Sequence, residues 1–112
     1  MLLVALVTGL AAARFHVTLL RAVPAVDTTV ATAPATLSLW FNERPDPALS
    51  SLRLLGPDSV LVTLGAVARA DSMGLTAAVR GPLAPGAYTV LWRTAGPDGH
   101  VMRGRYAFRY QP

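Results

Sequence analysis

The sequence predicts an all-β protein, an immunoglobulin-like Greek-key β-sandwich of about seven short strands. Three observations predict it. The segments that mix β-forming residues with apolar/polar alternation are short. Proline and glycine turn signals punctuate them at close intervals. Beyond the first fifteen residues no stretch carries apolar side chains at helical spacing.

Taken in order, VTLLRAV (17–23) is the first predicted strand. TLSLWF (36–41) directs Leu37, Leu39 and Phe41 to one face and Ser38 and Trp40 to the other. ATAP before it and NERPDP (42–47) after it hold prolines that bar a continuing central strand. SLRLL (51–55) stops at Gly56-Pro57, and VLVTL (60–64) stops at Gly65. LTAAV (75–79) is closed by Gly81-Pro82. AYTVLWRT (87–94) follows Pro85-Gly86 and puts Tyr88, Val90 and Trp92 on one face. RYAFRY (105–110) follows Gly104. Trp92 and Trp40 are expected as core or near-core aromatics, because each adds a large buried area. NERPDP and ARADSMG (68–74) are expected as solvated surface connections.

Composition fits one folded domain. The chain has 112 residues, 53% of them hydrophobic and 14% charged, enough apolar content for a core and too little charge for a disordered tail. It has no cysteine, which excludes a disulfide framework and thiolate metal or redox chemistry. The formal charge is +4, and all ten basic residues are arginine. Most are scattered, which argues against a nucleic-acid partner. Arg103, Arg105 and Arg109 alternate along one strand and therefore share a side; a solvated strand face is the favoured reading of these three over an anionic docking patch.

MLLVALVTGLAAA places thirteen apolar or small residues ahead of Arg14. A membrane-spanning helix needs about 20, so the run reads as the apolar region of an export signal, residues 1–15, with the mature domain at 16–112. Small residues at 11–13 offer an alternative cut, and Phe15 is an unusual residue at a cleavage position.

Two histidines occur in the whole chain, His16 and His100. Asp98 and His100 flank Gly99, and side chains two apart in an extended segment point the same way, so a carboxylate and an imidazole can converge there. Asp-x-His alone is a weak signal, more often a turn or capping group than a ligand. His16 changes its weight. If the leader is removed just before it, His16 carries a free α-amine beside its imidazole, and an amine with a pKa near 7.7–8.0 gives up its proton to a metal near neutral pH. Amine, two imidazoles and a carboxylate suit tetragonal Cu(II). They suit calcium and magnesium poorly, since those ions want several oxygens; against zinc the case is milder.

HVTLLRAVPA (16–25), APATLSLWFNE (33–43) and LAPGAYTVLWRTAGPDGH (83–100), followed by Gly104 and YAF (106–108), together resemble the CopC-type copper resistance proteins over nearly all of residues 16–110. The resemblance implies an extracytoplasmic, periplasmic β-sandwich that binds one Cu(II), with His16 matching the N-terminal histidine ligand, Asp98 the carboxylate and His100 the second imidazole. Some relatives carry a methionine-rich Cu(I) site as well; with only Met73 and Met102 outside the leader, these two read as packing or surface thioethers. The sequence departs from the family at Ala22, at Gly96-Pro97, at Val101 and at Phe15. Only Phe15 bears on a ligand, because the amine of His16 depends on cleavage after it.

Three function classes follow. The first is a non-enzymatic Cu(II) carrier or buffer in copper resistance or homeostasis, a monomer whose partners are the ion and a membrane copper transporter or another envelope copper protein. The second is a metal-free immunoglobulin-like envelope module. The third is a copper oxidative enzyme of the histidine-brace kind, with Tyr106 or Tyr88 as an axial residue. The first is the expectation carried forward.

Overall fold

Alternation along the chain becomes burial in the folded protein. The computed structural model describes residues 17–112, so the expected leader (1–15) and His16 lie outside the described residues. Among them are nine strands: β1 (Leu19–Val23), β2 (Thr29–Val30), β3 (Thr36–Phe41), β4 (Ser51–Leu55), β5 (Leu61–Val62), β6 (Ala68–Asp71), β7 (Gly74–Ala78), β8 (Gly86–Ala95) and β9 (Val101–Tyr110). They form two sheets, ordered β1-β3-β7-β6 and β2-β9-β8-β4-β5. All pairings are antiparallel except β2 with β9, which is parallel. The all-β sandwich predicted from the sequence is the fold observed.

The core lies between the sheets. From one side come Leu37, Leu39 and Phe41 of β3 and Leu75 and Ala77 of β7; from the other come Leu52, Leu54, Tyr88, Val90, Trp92, Tyr106 and Phe108. Phe41 meets Trp92 edge-on across the gap, ring centroids 5.2 Å apart, a geometry that aromatic quadrupoles favour. Tyr88 stacks on its cross-strand partner Phe108 at 5.5 Å. Its hydroxyl donates to the Ala84 carbonyl at 2.6 Å, closing the corner before β8 in the manner of a tyrosine corner.

Trp40 corrects one expectation. Its neighbours in β3 point inward, so the same alternation sends Trp40 to the outer face, where it is half-buried and outside the core. There its indole N–H donates to Asp71 at 2.9 Å, and the Arg21 guanidinium lies 3.8 Å from the ring centroid. A desolvated ring surface is thus covered by a cation instead of by the core.

Two strands were not anticipated. β2 is two residues long and too short for any alternation to show. β6 falls within ARADSMG, expected as a surface connection; it is an edge strand with all four residues exposed, so it has no buried face to advertise itself. Asp71 closes its hairpin by accepting the Met73 N–H at 2.8 Å. β9 also begins earlier than expected, because Gly104 lies inside it, opposite Trp92.

Candidate metal centre

β8 and β9 form the longest ladder of the molecule, and its last pair is Ala95 with Val101. Residues 96–100 bridge that pair as a tight turn in which the Gly99 N–H donates to the Gly96 carbonyl at 3.0 Å. Gly99 has φ +82°, a backbone region that glycine enters without steric cost. The turn brings Asp98 and His100 together. Asp98 Oδ1 accepts the backbone N–H of His100 at 3.1 Å, and Oδ2 lies 2.8 Å from His100 Nδ1.

The sequence anticipated two groups converging on a third object; the fold brings them onto each other. An ionised carboxylate only accepts hydrogen bonds, so Nδ1 carries the proton and the ring's lone pair lies on Nε2. The imidazole is 70% exposed, leaving Nε2 open to solvent. The carboxyl of Asp98 is held below its ordinary value of 3.8, first by the His100 backbone N–H and then by the His100 ring. Asp98 is therefore an anion throughout the neutral range. This is the arrangement by which carboxylates orient histidine ligands around metals.

Other segments fix this turn in place. The β3–β4 connection, with its short 3-10 turn at Pro47–Leu49, is tied to the end of β8: the Asp46 N–H donates to the Ala95 carbonyl at 3.0 Å, and Ser50 Oγ lies 2.7 Å from Thr94 Oγ1. The start of the described chain is tied to the same connection. Thr18 N–H donates to Asn42 Oδ1 at 2.6 Å, and Asn42 N–H returns a bond to the Thr18 carbonyl at 3.0 Å. Val17 is buried, and a Cβ placed on Gly96 would come within 3.2 Å of its Cγ2. The residue that follows His16 in the sequence thus packs at the base of the Asp98–His100 turn.

Glu43 is the group that residue-by-residue reasoning missed. Its segment, NERPDP, reads as a solvated connection, yet Glu43 Oε2 is buried with no hydrogen-bond partner among the described residues. Its Oε1 would lie 3.5 Å from a Cβ on Gly96. The only signal was its place at the end of the APATLSLWFNE segment.

Of the three predicted ligands, the structure brings Asp98 and His100 into contact, while His16 lies outside the described residues. Among the described residues no group of three or more metal-ligating side chains gathers. Neither tyrosine considered for an axial role is near the turn. Tyr106 and Tyr88 pair with Val90 and Phe108, five and seven ladder steps from Ala95–Val101, or about 17 and 24 Å at 3.4 Å per residue. Met73 sits in the exposed β6–β7 turn, and Met102 packs half-buried against the core.

Known proteins share this architecture. Residues 19–111 match the CopC domain. A copper resistance protein C from Xanthomonas campestris pv. juglandis is 31% identical over 90 residues, spanning 74% of this chain and 71% of that protein. The crystal structure of CopC from Methylosinus trichosporium OB3b superposes with a TM-score of 0.77 at 33% identity, covering 87% of this chain and 95% of that one. PcoC, a methionine-rich copper resistance protein from Escherichia coli, superposes with a TM-score of 0.76 at 33% identity, covering 86% and 99%. A match running from the first strand to the last, with the Asp98–His100 turn inside it, means that this chain belongs to the CopC domain family.

Proposed function

We propose that this protein is an extracytoplasmic Cu(II) carrier or buffer serving copper resistance, and that it binds one ion through His16, Asp98 and His100. The observation that carries the reading is the packing of Val17 on Gly96, which brings the residue after His16 to the turn that presents His100. Copper is cargo here. The chain's residues hold it and let it go without acting on a substrate.

The groups present suit the ion. His100 offers an exposed imidazole, Asp98 an ionised carboxylate that turns from His100 Nδ1 to the ion on binding, and Glu43, whose Oε2 is buried, adds an acidic side chain beside Gly96. Nitrogen and oxygen donors with no thiolate favour Cu(II) over Cu(I). An exposed imidazole at the tip of a hairpin allows release by ligand exchange to an envelope copper protein or a membrane transporter.

The test is a Cu(II) titration with electron paramagnetic resonance, on protein exported and processed by its host and checked by intact mass. One tight equivalent with a tetragonal, nitrogen-rich spectrum, lost in His100→Ala, is the expected result. Weak, non-stoichiometric binding by protein that begins at His16 would overturn it.

A further inference from the structure

The outer face of the five-stranded sheet concentrates more positive charge than the Arg103–Arg105 alternation in the sequence shows. Arg103 and Arg105 project from β9, and the register adds two more arginines from neighbouring strands. Ser51, Arg93 and Arg103 form one cross-strand row, and Arg53, Leu91 and Arg105 form the next. Four of these six side chains are arginines, and with Trp92 and Gly104 the six line a shallow groove of about 330 Å³. Arg93 and Arg103 sit directly opposite each other, a like-charge pairing that costs stability in a sheet. The six acidic residues of the chain are Asp27, Glu43, Asp46, Asp58, Asp71 and Asp98, and none lies within ion-pair distance of these arginines. Among the described residues, the one hydrogen bond of the four guanidinium groups runs from Arg93 Nη1 to the Leu49 carbonyl at 3.4 Å.

We propose that this face is a docking site for an acidic, extended segment of a partner protein, with carboxylates at alternate positions. Guanidinium forks match carboxylates in paired hydrogen bonds. Arg103 and Arg105 are two residues apart on one strand, roughly 7 Å, which is also the repeat of alternate side chains in an extended chain. Arg93 stands beside Arg103 at the strand spacing of about 4.8 Å, so two guanidinium groups can hold one carboxylate. Leu91, between Arg53 and Arg105, gives an apolar floor for the segment's methylenes. The recess takes discrete side chains, which favours a peptide over a flat lipid surface. The Arg93–Arg103 pair is two ladder steps from Ala95–Val101, so a docked partner lies next to the Asp98–His100 turn.

The inference does not depend on the copper reading, and its test uses metal-free protein. The probe is a fluorescein-labelled peptide of alternating aspartate and serine, followed by anisotropy at low and at physiological salt. Saturable binding that weakens with salt is expected. Arg93→Gln/Arg103→Gln and Arg53→Gln/Arg105→Gln should each weaken it roughly tenfold or more, as lost charge-assisted bonds imply. Arg69→Gln/Arg80→Gln removes the same charge elsewhere and should change affinity less than about twofold. The Arg93→Gln/Arg103→Gln protein should melt no lower than the parent, because a repulsive pair is gone; if it does melt lower, the Arg53→Gln/Arg105→Gln pair decides. Equal loss in the Arg69/Arg80 control would overturn the proposal by reducing the effect to net charge. Absence of peptide binding, alone or alongside binding to anionic phospholipid vesicles, would overturn it too. Cu(II) titration of the same variants keeps the two readings apart, since neither pair of arginines supplies a copper ligand.

Discussion

Val17 lies against Gly96 so closely that a methyl group on the glycine would come within 3.2 Å of the valine Cγ2. The contact joins the first described residue to the turn that holds Asp98 and His100, and it depends on residue 96 having no side chain. Gly96→Val should push Val17 away from the turn. Overpacking of this kind costs about 1–3 kcal/mol, so the fold should survive with a lower melting temperature. Cu(II) affinity should fall roughly tenfold or more, the usual cost of disturbing the support of a metal ligand. Competition with a chelator of known affinity measures it; unchanged affinity would show that the Val17–Gly96 contact plays no part in the site.

Asp98 should titrate below 3.8, and part of that depression should survive loss of the imidazole. The first cause is the backbone N–H of His100, which His100→Ala retains; the hydrogen bond and charge of the ring, which it removes, come after it. The sign follows from linkage. A carboxyl whose folded value is depressed contributes stability at pH above its unfolded value of about 3.9, and loses it as pH falls through the folded value. Carbon-detected NMR of the Asp98 carboxyl gives both midpoints. The His100→Ala midpoint should lie between that of the parent and 3.8; a midpoint at or above 3.8 would show that the backbone bond does not form in solution.

The sequence carried the sandwich because its central strands alternate cleanly. Leu37, Leu39 and Phe41, and then Tyr88, Val90 and Trp92, were assigned to single faces, and all six are buried. It failed where no face is buried, as in β6, or where a strand is too short to alternate, as in β2. For the site, Asp-x-His spacing announced the Asp98–His100 pair, but could not say that the two groups would bond to each other. Glu43 sits in a polar, proline-rich loop, and the burial of its Oε2 beside Gly96 is a tertiary feature that no local window contains. The arginine face was legible only in part: Arg103 and Arg105 share a side of one strand, but Arg53 and Arg93 lie far from them in sequence. Cross-strand register assembles it from β4, β8 and β9, and no local window contains it.

Any side chain at Gly104 is predicted to destabilise the fold. It faces Trp92 across the β8–β9 ladder, and a Cβ there would stand 2.8 Å from the indole Nε1 and closer still to the ring carbons. The Trp92 ring is also held by its edge-on contact with Phe41. Gly104→Ala should therefore cost about 1–3 kcal/mol by overpacking, despite alanine's better fit to a strand backbone. Urea denaturation followed by tryptophan fluorescence measures the loss, and a neutral or stabilising result would mean that the ring rotates away freely.

Tyr88 and Tyr106 both keep their phenols protonated beyond the ordinary value of 10, chiefly because burial penalises the phenolate. They differ in hydrogen bonding. The Tyr88 hydroxyl donates to the Ala84 carbonyl at 2.6 Å, whereas the Tyr106 hydroxyl is buried with no partner among the described residues. Tyr88→Phe should cost about 1 kcal/mol, the net worth of a neutral hydrogen bond. Tyr106→Phe should cost nothing or stabilise slightly, because it removes a desolvated hydroxyl that gains no bond. The pH dependence has one sign for both. A phenol whose folded value is raised contributes stability below its unfolded value of about 10 and loses it as pH rises through the folded value. Stability should fall above about pH 10 in the parent, and less steeply in either phenylalanine variant. Urea melts between neutral and strongly alkaline pH test both points together; equal losses for the two substitutions at neutral pH would contradict the assigned roles.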